Sequence, residues 1–339
     1  MDKKFLLIIS LLILSLACTI PIAALNLQGS GDPEIKMLAD LDLSNDISPT
    51  PFQPYQYTPS VAPQSQLILD SLVPNEGIQR PEGQINLLLL GSDWQTGRPS
   101  NNTDVILLVS IFTREEKISL VSFPRDLWVE VPGVGEKRIN TTQAYGGFPL
   151  TVNTFEYNFG IHLDHYIMTN LNGFINIISI LDEKIEINAA TNLSDYCHLS
   201  HEQHRSWCSV GPGIEHLDSE MALWYVRSRY STDDFDRTRR AQEVLEGIFK
   251  GLMSINAITK APELYNQFAS CVETDINLGD IIGLIDISPK ILADPNRVRR
   301  YTIGRDHVTS HTFPTSGANV LLPNYDAIWQ LLLEAVFTP

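Results

Sequence analysis

The sequence predicts an α/β sandwich, a central sheet flanked by helices, and two observations carry that prediction. Residues 85–90, 105–112 and 118–122 are continuous apolar runs. Continuous rather than alternating apolarity is the pattern of strands buried on both faces. Downstream, segments of helical period alternate with further short strand-like runs.

The elements follow in order. The first run ends at Gly91-Ser92-Asp93, the second begins just after Asp104, and the third leads into Phe123-Pro124-Arg125-Asp126. Residues 148–159 read as a helix, with Pro149 tolerated in its first turn because the missing N–H has no partner there anyway. A short strand is expected over 166–169, an amphipathic helix over 171–181 and a strand over 184–187. Asp218 is placed to cap a helix over 219–225. Asp233 or Asp234 is placed to cap another running to about residue 252. Residues 281–292 and 325–337 read as the last helices.

The N-terminus carries Lys3 and Lys4, and residues 5–25 then contain no charge. A helix needs ~20 apolar residues to cross a bilayer core, so the expectation is a membrane anchor over 1–26. The lysines before it and Asp32, Glu34 and Asp40 after it put the N-terminus inside and the remainder outside the cell membrane. A cleaved signal peptide ending near Ala23-Ala24 is the competing reading, and lipidation at Cys18 is a third. Residues 27–83 are rich in Pro, Ser, Gln and Asp and read as an extracellular linker. The folded domain is expected over 84–339, with its most characteristic stretch at 84–252.

Charge narrows the function. The chain carries a formal charge of -16, which argues against nucleic acid as a partner. Against that background Arg227, Arg229, Arg237, Arg239 and Arg240 are a local exception. Guanidinium is suited to bidentate capture of phosphate. One residue separates Arg227 from Arg229, so on an extended segment both point to one side. Arg237 and Arg240 share a helix face. The plainer reading, a helix start laced by ion pairs with Asp233, Asp234 and Asp236, suits Arg239 best. Asp93 and Asp104 adjoin strands, where ligands of α/β sheets bind, and paired carboxylates that leave room for water and phosphate suit Mg²⁺.

Cys197 and Cys208 flank a polar loop that also holds His198, His201 and His204. Two readings compete, a disulfide in an oxidising compartment and a zinc site. No paired CxxC or HxxxH spacing is present, which favours the disulfide.

Segments 85–93, 103–133, 138–147 and 217–242, in that order, resemble the LytR–CpsA–Psr family of cell-wall glycopolymer ligases. The resemblance implies a mixed central sheet with helices on both faces. It also implies a membrane-anchored phosphotransferase that moves a phosphoglycan from a polyprenyl-pyrophosphate carrier to a hydroxyl of a cell-wall polymer, usually peptidoglycan. Residue by residue, Asp93 and Asp104 match Mg²⁺-associated acids, with Asp104 as ligand or base. Arg125, with Asp126 beside it, matches a catalytic or phosphate-binding arginine. Arg227 and Arg229 match a pyrophosphate clamp. Arg237, Arg240 and Gln242 match the motif that follows. Two positions depart from the family pattern. Asn102 stands where Arg is usual, with Arg98 as a substitute from the same loop, and Ala241 stands where Gln is common. The helices at 171–181 and 244–252 are candidate walls for the prenyl tail, although core packing is the ordinary use of such stripes. Pyrophosphate hydrolysis and carrier binding without turnover are the alternative functions.

Overall fold

The computed structural model describes residues 79–94, 101–181, 184–197, 199, 206–229, 234–254, 271–276 and 288–339. The expected anchor, residues 27–78 of the expected linker, Asp233 and Arg98 lie outside these residues. Among the described residues no helix is long and apolar enough to cross a membrane.

Strands β1 (Gln84–Ser92), β2 (Thr103–Phe112), β3 (Lys117–Ser122), β4 (Trp128–Val131) and β5 (Gly135–Arg138) come first. Helix α1 (Thr142–Phe159), β6 (His165–Thr169), α2 (Leu171–Ile180), β7 (Lys184–Ala189), β8 (Leu193–Cys197), β9 (Ser206–Val210) and β10 (Gly213–Asp218) follow. Then come α3 (Ser219–Arg227), α4 (Asp234–Ser254), β11 (Val272–Thr274), α5 (Ser288–Ala293), β12 (Val298–Thr302), β13 (Val308–Thr312), β14 (Asn319–Pro323) and α6 (Tyr325–Ala335). The chain divides into two compact units. The described parts of 54–171, 232–241 and 289–339 make a sheet unit, and the described parts of 172–231 and 242–288 make a hairpin unit.

In the sheet unit the strand order is β6-β1-β2-β3-β12. β1–β2 and β2–β3 pair antiparallel, while β1–β6 and β3–β12 pair parallel, so the sheet is mixed. Register aligns Tyr166, Leu88, Leu108, Val121 and Tyr301 in one row on one face. Leu88, Leu108 and Val121 are fully buried, each contributing roughly 1.5–3 kcal/mol by leaving water. Helix α1 covers this face. Its Phe155 and Phe159 meet Phe123 with ring centroids 4.9 and 5.2 Å away, and its Phe148 stacks on Tyr166 at 4.4 Å. Helix α6 joins it, through the Tyr301 hydroxyl donating to Glu334 at 2.9 Å. On the opposite face the apolar Leu87, Leu89 and Ile167 are only half-buried. β1 is therefore less enclosed than its unbroken apolar run predicts.

Helix α1 begins earlier than the pattern at 148–159 indicates, but it is broken inside. Gly146 and Gly147 have non-helical dihedrals, and Gly147 has φ 63°, a left-handed conformation that glycine adopts without strain. Pro149 thus falls in the first turn after the break, where its missing N–H is harmless.

Helix α6 starts at Tyr325, whose hydroxyl donates to Asn158 Oδ1 of α1 at 2.9 Å. Burial chiefly, with Glu136, Tyr157 and Glu130 adding, pushes its phenol from 10.0 up to about 12. A raised pKa in the folded state means stability that is complete below the unfolded value and lost as pH climbs through the folded one. We expect a loss of ~2–3 kcal/mol from this group between pH ~10 and ~12. Urea midpoints should show a shallower alkaline decline in Tyr325→Phe than in the wild type. Equal slopes would remove Tyr325 from the account.

The hairpin unit holds two antiparallel pairs, β7 with β10 and β8 with β9. Asp218 caps α3 by accepting from Met221 N at 2.8 Å, as its position predicts. The β4–β5, β8–β9 and β13–β14 hairpins are absent from the sequence expectation. β13, for example, is Val-Thr-Ser-His-Thr, mostly half-buried or exposed, so it carries no apolar run.

Candidate active site

Three strand ends of the sheet unit meet at one edge. β1 runs into Asp93, β2 starts beside Asp104, and β3 runs into Pro124-Arg125-Asp126. The β1–β2 ladder pairs Gly91 with Val105 but Ser92 with Thr103, so Asp104 is an extra, unmatched residue. Such a bulge re-aims a side chain at the end of a strand. Gly91 permits the close approach, since a Cβ there would sit 3.0 Å from the Val105 Cβ.

Arg125 links the acids. Its Nη1 donates to Asp104 Oδ1 at 2.7 Å, and its Nε lies 3.4 Å from Asp126 Oδ2. The other Asp126 oxygen lies 3.1 Å from Arg138 Nε. Asp126 is thus held between two guanidinium groups and orients Arg125. Asp104, whose side chain is 37% exposed against 19% for Arg125, faces solvent more openly. Arg138 and Asn140 belong to the similar segment 138–147 but were not singled out as site residues. Asn140 N donates to Arg125 O at 3.3 Å. Asn101 also lies here, accepting from Ser92 Oγ at 2.7 Å.

The turn at position 102 is held by bonds that do not involve the Asn102 side chain. Asn102 O accepts from Asp93 N at 2.9 Å, and Asn102 N donates to Asp93 Oδ1 at 2.9 Å. Both bonds use backbone atoms, which any residue supplies, so the turn forms without an arginine.

Asp93 and Asp104 offer two carboxylates at this edge. Among the described residues no group of three or more His, Cys, Asp and Glu gathers to hold a metal. Two hard oxygen ligands fit Mg²⁺, which takes its remaining ligands from water and phosphate. They do not fit a fully protein-ligated ion.

Helix α4 contributes Arg237 and Arg240 within the sheet unit, only 6% and 1% exposed. Burying guanidinium this deeply is costly unless anions or acceptors surround it. Gln242, further along the helix in the hairpin unit, is also buried. Arg239 differs from its neighbours. It is half-buried and pairs with Asp236 at 3.1 Å, an ordinary i,i+3 ion pair.

In the hairpin unit, Arg227 ends α3 and Arg229 follows Ser228. Both arginines are exposed and Ser228 between them is buried. Ser228 has φ -57° and ψ 136°, an extended conformation that leaves the helix. The alternation sends both arginines outward together.

Cys197 and Cys208 form a disulfide with their Cα atoms 5.7 Å apart. A disulfide leaves neither sulfur as a thiolate ligand for zinc. His198, His201 and His204 lie outside the described residues. The bond closes the β8–β9 hairpin, and Met221 and Trp224 of α3 pack against it. Reduction should lower stability by on the order of 2–3 kcal/mol. Denaturant midpoints with and without reductant measure this, and Cys197→Ser should make the midpoint insensitive to reductant. An unchanged wild-type midpoint on reduction would contradict it.

Acids and Arg125 gather at the strand ends of the sheet unit, and further arginines lie on the helices that follow in the sequence. The LytR_cpsA_psr family matches residues 57–326, and the chain belongs to that family. The match begins inside the segment expected as linker. Regulatory protein MsrR of Staphylococcus aureus is 29% identical over 202 residues, 59% of this chain and 59% of that protein. The polyisoprenyl-teichoic acid–peptidoglycan teichoic acid transferase TagU of Enterococcus faecalis is 29% identical over 201 residues, 58% of this chain and 63% of that protein. This chain therefore spans under two thirds of the length of these relatives. Among solved structures, B. subtilis TagV is similar with a TM-score of 0.61 at 21% identity, covering 77% of this chain and 100% of that one. The family protein YwtF (TagT) with bound octaprenyl pyrophosphate lipid is similar with a TM-score of 0.51 at 22% identity, covering 75% and 90%. These likenesses establish the fold, a mixed sheet flanked by helices.

Proposed function

We propose that the chain is a glycopolymer phosphotransferase that moves a phosphoglycan from a polyprenyl-pyrophosphate carrier to a hydroxyl of a cell-wall polymer, with peptidoglycan as the acceptor. The observation that carries the reading is the density of arginine over residues 227–240, together with Arg125 held by Asp104 and Asp126, in a chain whose net charge is -16. Such a chain repels anions except where guanidinium gathers. Family membership supports it, as do the names of two relatives, one a teichoic acid transferase and one holding a polyprenyl pyrophosphate.

In this reading Arg227 and Arg229 clamp the pyrophosphate by paired donors. Arg237 and Arg240, with Gln242, neutralise and orient the phosphate oxygens. Arg125, fixed by Asp104 and Asp126, stabilises charge that grows on the transferred phosphoryl group. The acceptor hydroxyl oxygen attacks phosphorus, and the bond to the bridging oxygen of the pyrophosphate breaks. The glycan keeps its phosphate, now esterified to the acceptor, and polyprenyl phosphate leaves. Asp104, 37% exposed against 26% for Asp126, accepts the hydroxyl proton. Asp93 and Asp104 would hold Mg²⁺, which would supply further neutralisation of phosphate charge. The half-buried apolar face at Leu87, Leu89 and Ile167 offers a prenyl chain a surface to cover. Anchoring by residues 5–25, with the domain outside the cell, would bring the site to a membrane-bound carrier.

Incubating the purified chain with a polyprenyl-pyrophosphate-linked glycan, with and without wall polymer, tests the reading. Polyprenyl phosphate should appear only when acceptor is present. Equal release without acceptor would make the protein a pyrophosphatase, and no release in either case a carrier-binding protein.

A further inference from the structure

We infer that Asp195 is a positioning residue for the Arg227–Arg229 pair, acting through Ser228. The inference rests on the clamp role proposed above and assigns the residue that sets it. Asp195 lies on β8 and is 1% exposed. Burying a carboxylate is costly unless hydrogen bonds compensate it. Here Tyr196 N donates to Asp195 Oδ1 at 2.6 Å and Ser228 Oγ donates to Asp195 Oδ2. Bonds to an ionised acceptor are the stronger kind.

The placement of that second bond is what gives it a role beyond packing. Ser228 is the residue between the two arginines, and its N–H still bonds to Trp224 O at 2.8 Å. Holding its hydroxyl inward fixes the phase of the segment, so Arg227 and Arg229 both point outward. If the hydroxyl were released, the extended residues after α3 could rotate and part the two guanidinium groups.

The surroundings keep Asp195 itself in place. It sits opposite Cys208 in the β8–β9 ladder, and the Cys197–Cys208 bond closes the same hairpin. Trp224 Nε1 of α3 donates to Tyr196 O at 2.9 Å. The Tyr225 hydroxyl donates to Glu243 Oε2 at 2.6 Å, and Glu243 Oε1 accepts from Ala190 N at 3.1 Å. Helix α3 is thereby fastened at two adjacent residues, Trp224 and Tyr225, just before the arginines emerge.

Binding of a short-chain prenyl pyrophosphate, followed by calorimetry, tests this. Asp195→Ala should weaken binding by about 10- to 100-fold, the scale set by ångström-level misplacement. Asp195→Asn keeps an acceptor oxygen for Ser228 and should recover most of the affinity. On an Arg227→Ala/Arg229→Ala background, Asp195→Ala should change nothing further, because its effect travels through the missing side chains. A full additional loss on that background, or no loss on the native one, overturns the inference. If the wild type fails to bind the probe, the clamp reading fails, and amide hydrogen exchange then decides the positioning role. Faster exchange at Ser228 and Arg229 in Asp195→Ala, reversed in Asp195→Asn, supports it, and unchanged exchange overturns it.

Discussion

Arg227→Ala or Arg229→Ala should each lower kcat/KM for the lipid-linked donor by about 2–4 kcal/mol of transition-state stabilisation, roughly 30- to 1000-fold. Each change removes one donor fork from a group carrying two phosphates. Because both arginines are exposed and stand outside the packed core, the folded state should survive, and thermal melts should be little changed. Arg239→Ala is the internal control. Arg239 already spends its charge on Asp236 at 3.1 Å, and a partly exposed pair of this kind is worth about 0–1 kcal/mol. Its turnover should stay within a few-fold of wild type. Full activity in Arg227→Ala beside an inactive Arg239→Ala would relocate the clamp.

Asp104→Asn is expected to remove most turnover, on the order of 10²–10⁴-fold in kcat, the usual contribution of a positioned acid or base. The amide retains the shape and an acceptor oxygen for Arg125 Nη1, so the bulge and Arg125 should stay in place. Lost are the charge that compensates Arg125 and the basicity that would take the acceptor proton. Rate measurements over a Mg²⁺ titration separate the two assigned roles. Recovery at high Mg²⁺ marks a lost ligand, and a rate that stays low at saturation marks a lost base. An unimpaired Asp104→Asn would exclude both.

The sheet was legible because three of its strands are long apolar runs, and 85–90, 105–112 and 118–122 fall within β1, β2 and β3. β12 was not, because Val-Arg-Arg-Tyr-Thr lies at the end of the strand order and carries two arginines in place of an apolar run, Arg299 bonding Ser119 Oγ at 3.1 Å and Thr338 O at 2.7 Å. The hairpins were missed for a related reason. A two-stranded pair with one exposed face leaves too few apolar positions to register as a run. At the site, acids and arginines were visible as residue types in a pattern. Asp126 was visible beside Arg125, which it does approach at 3.4 Å, but not its sharing with Arg138 at 3.1 Å from across the β4–β5 hairpin. That hairpin brings together residues separated in sequence, and nothing local to either marks the pairing. Asp195 escaped notice for the same reason. Its meaning lies in a bond to Ser228, which only the tertiary fold supplies.

The claim that the chain transfers a phosphoglycan to a hydroxyl, rather than hydrolysing its carrier, is tested most directly by the fate of solvent oxygen. The reaction with lipid-linked glycan and wall polymer would be run in ¹⁸O-labelled water and the glycan phosphate analysed by mass spectrometry. Transfer predicts that the new ester oxygen comes from the acceptor hydroxyl, so the phosphate linking glycan to wall carries no label. An ¹⁸O atom in the glycan phosphate, with no ester to the wall polymer, would show attack by water and contradict the account.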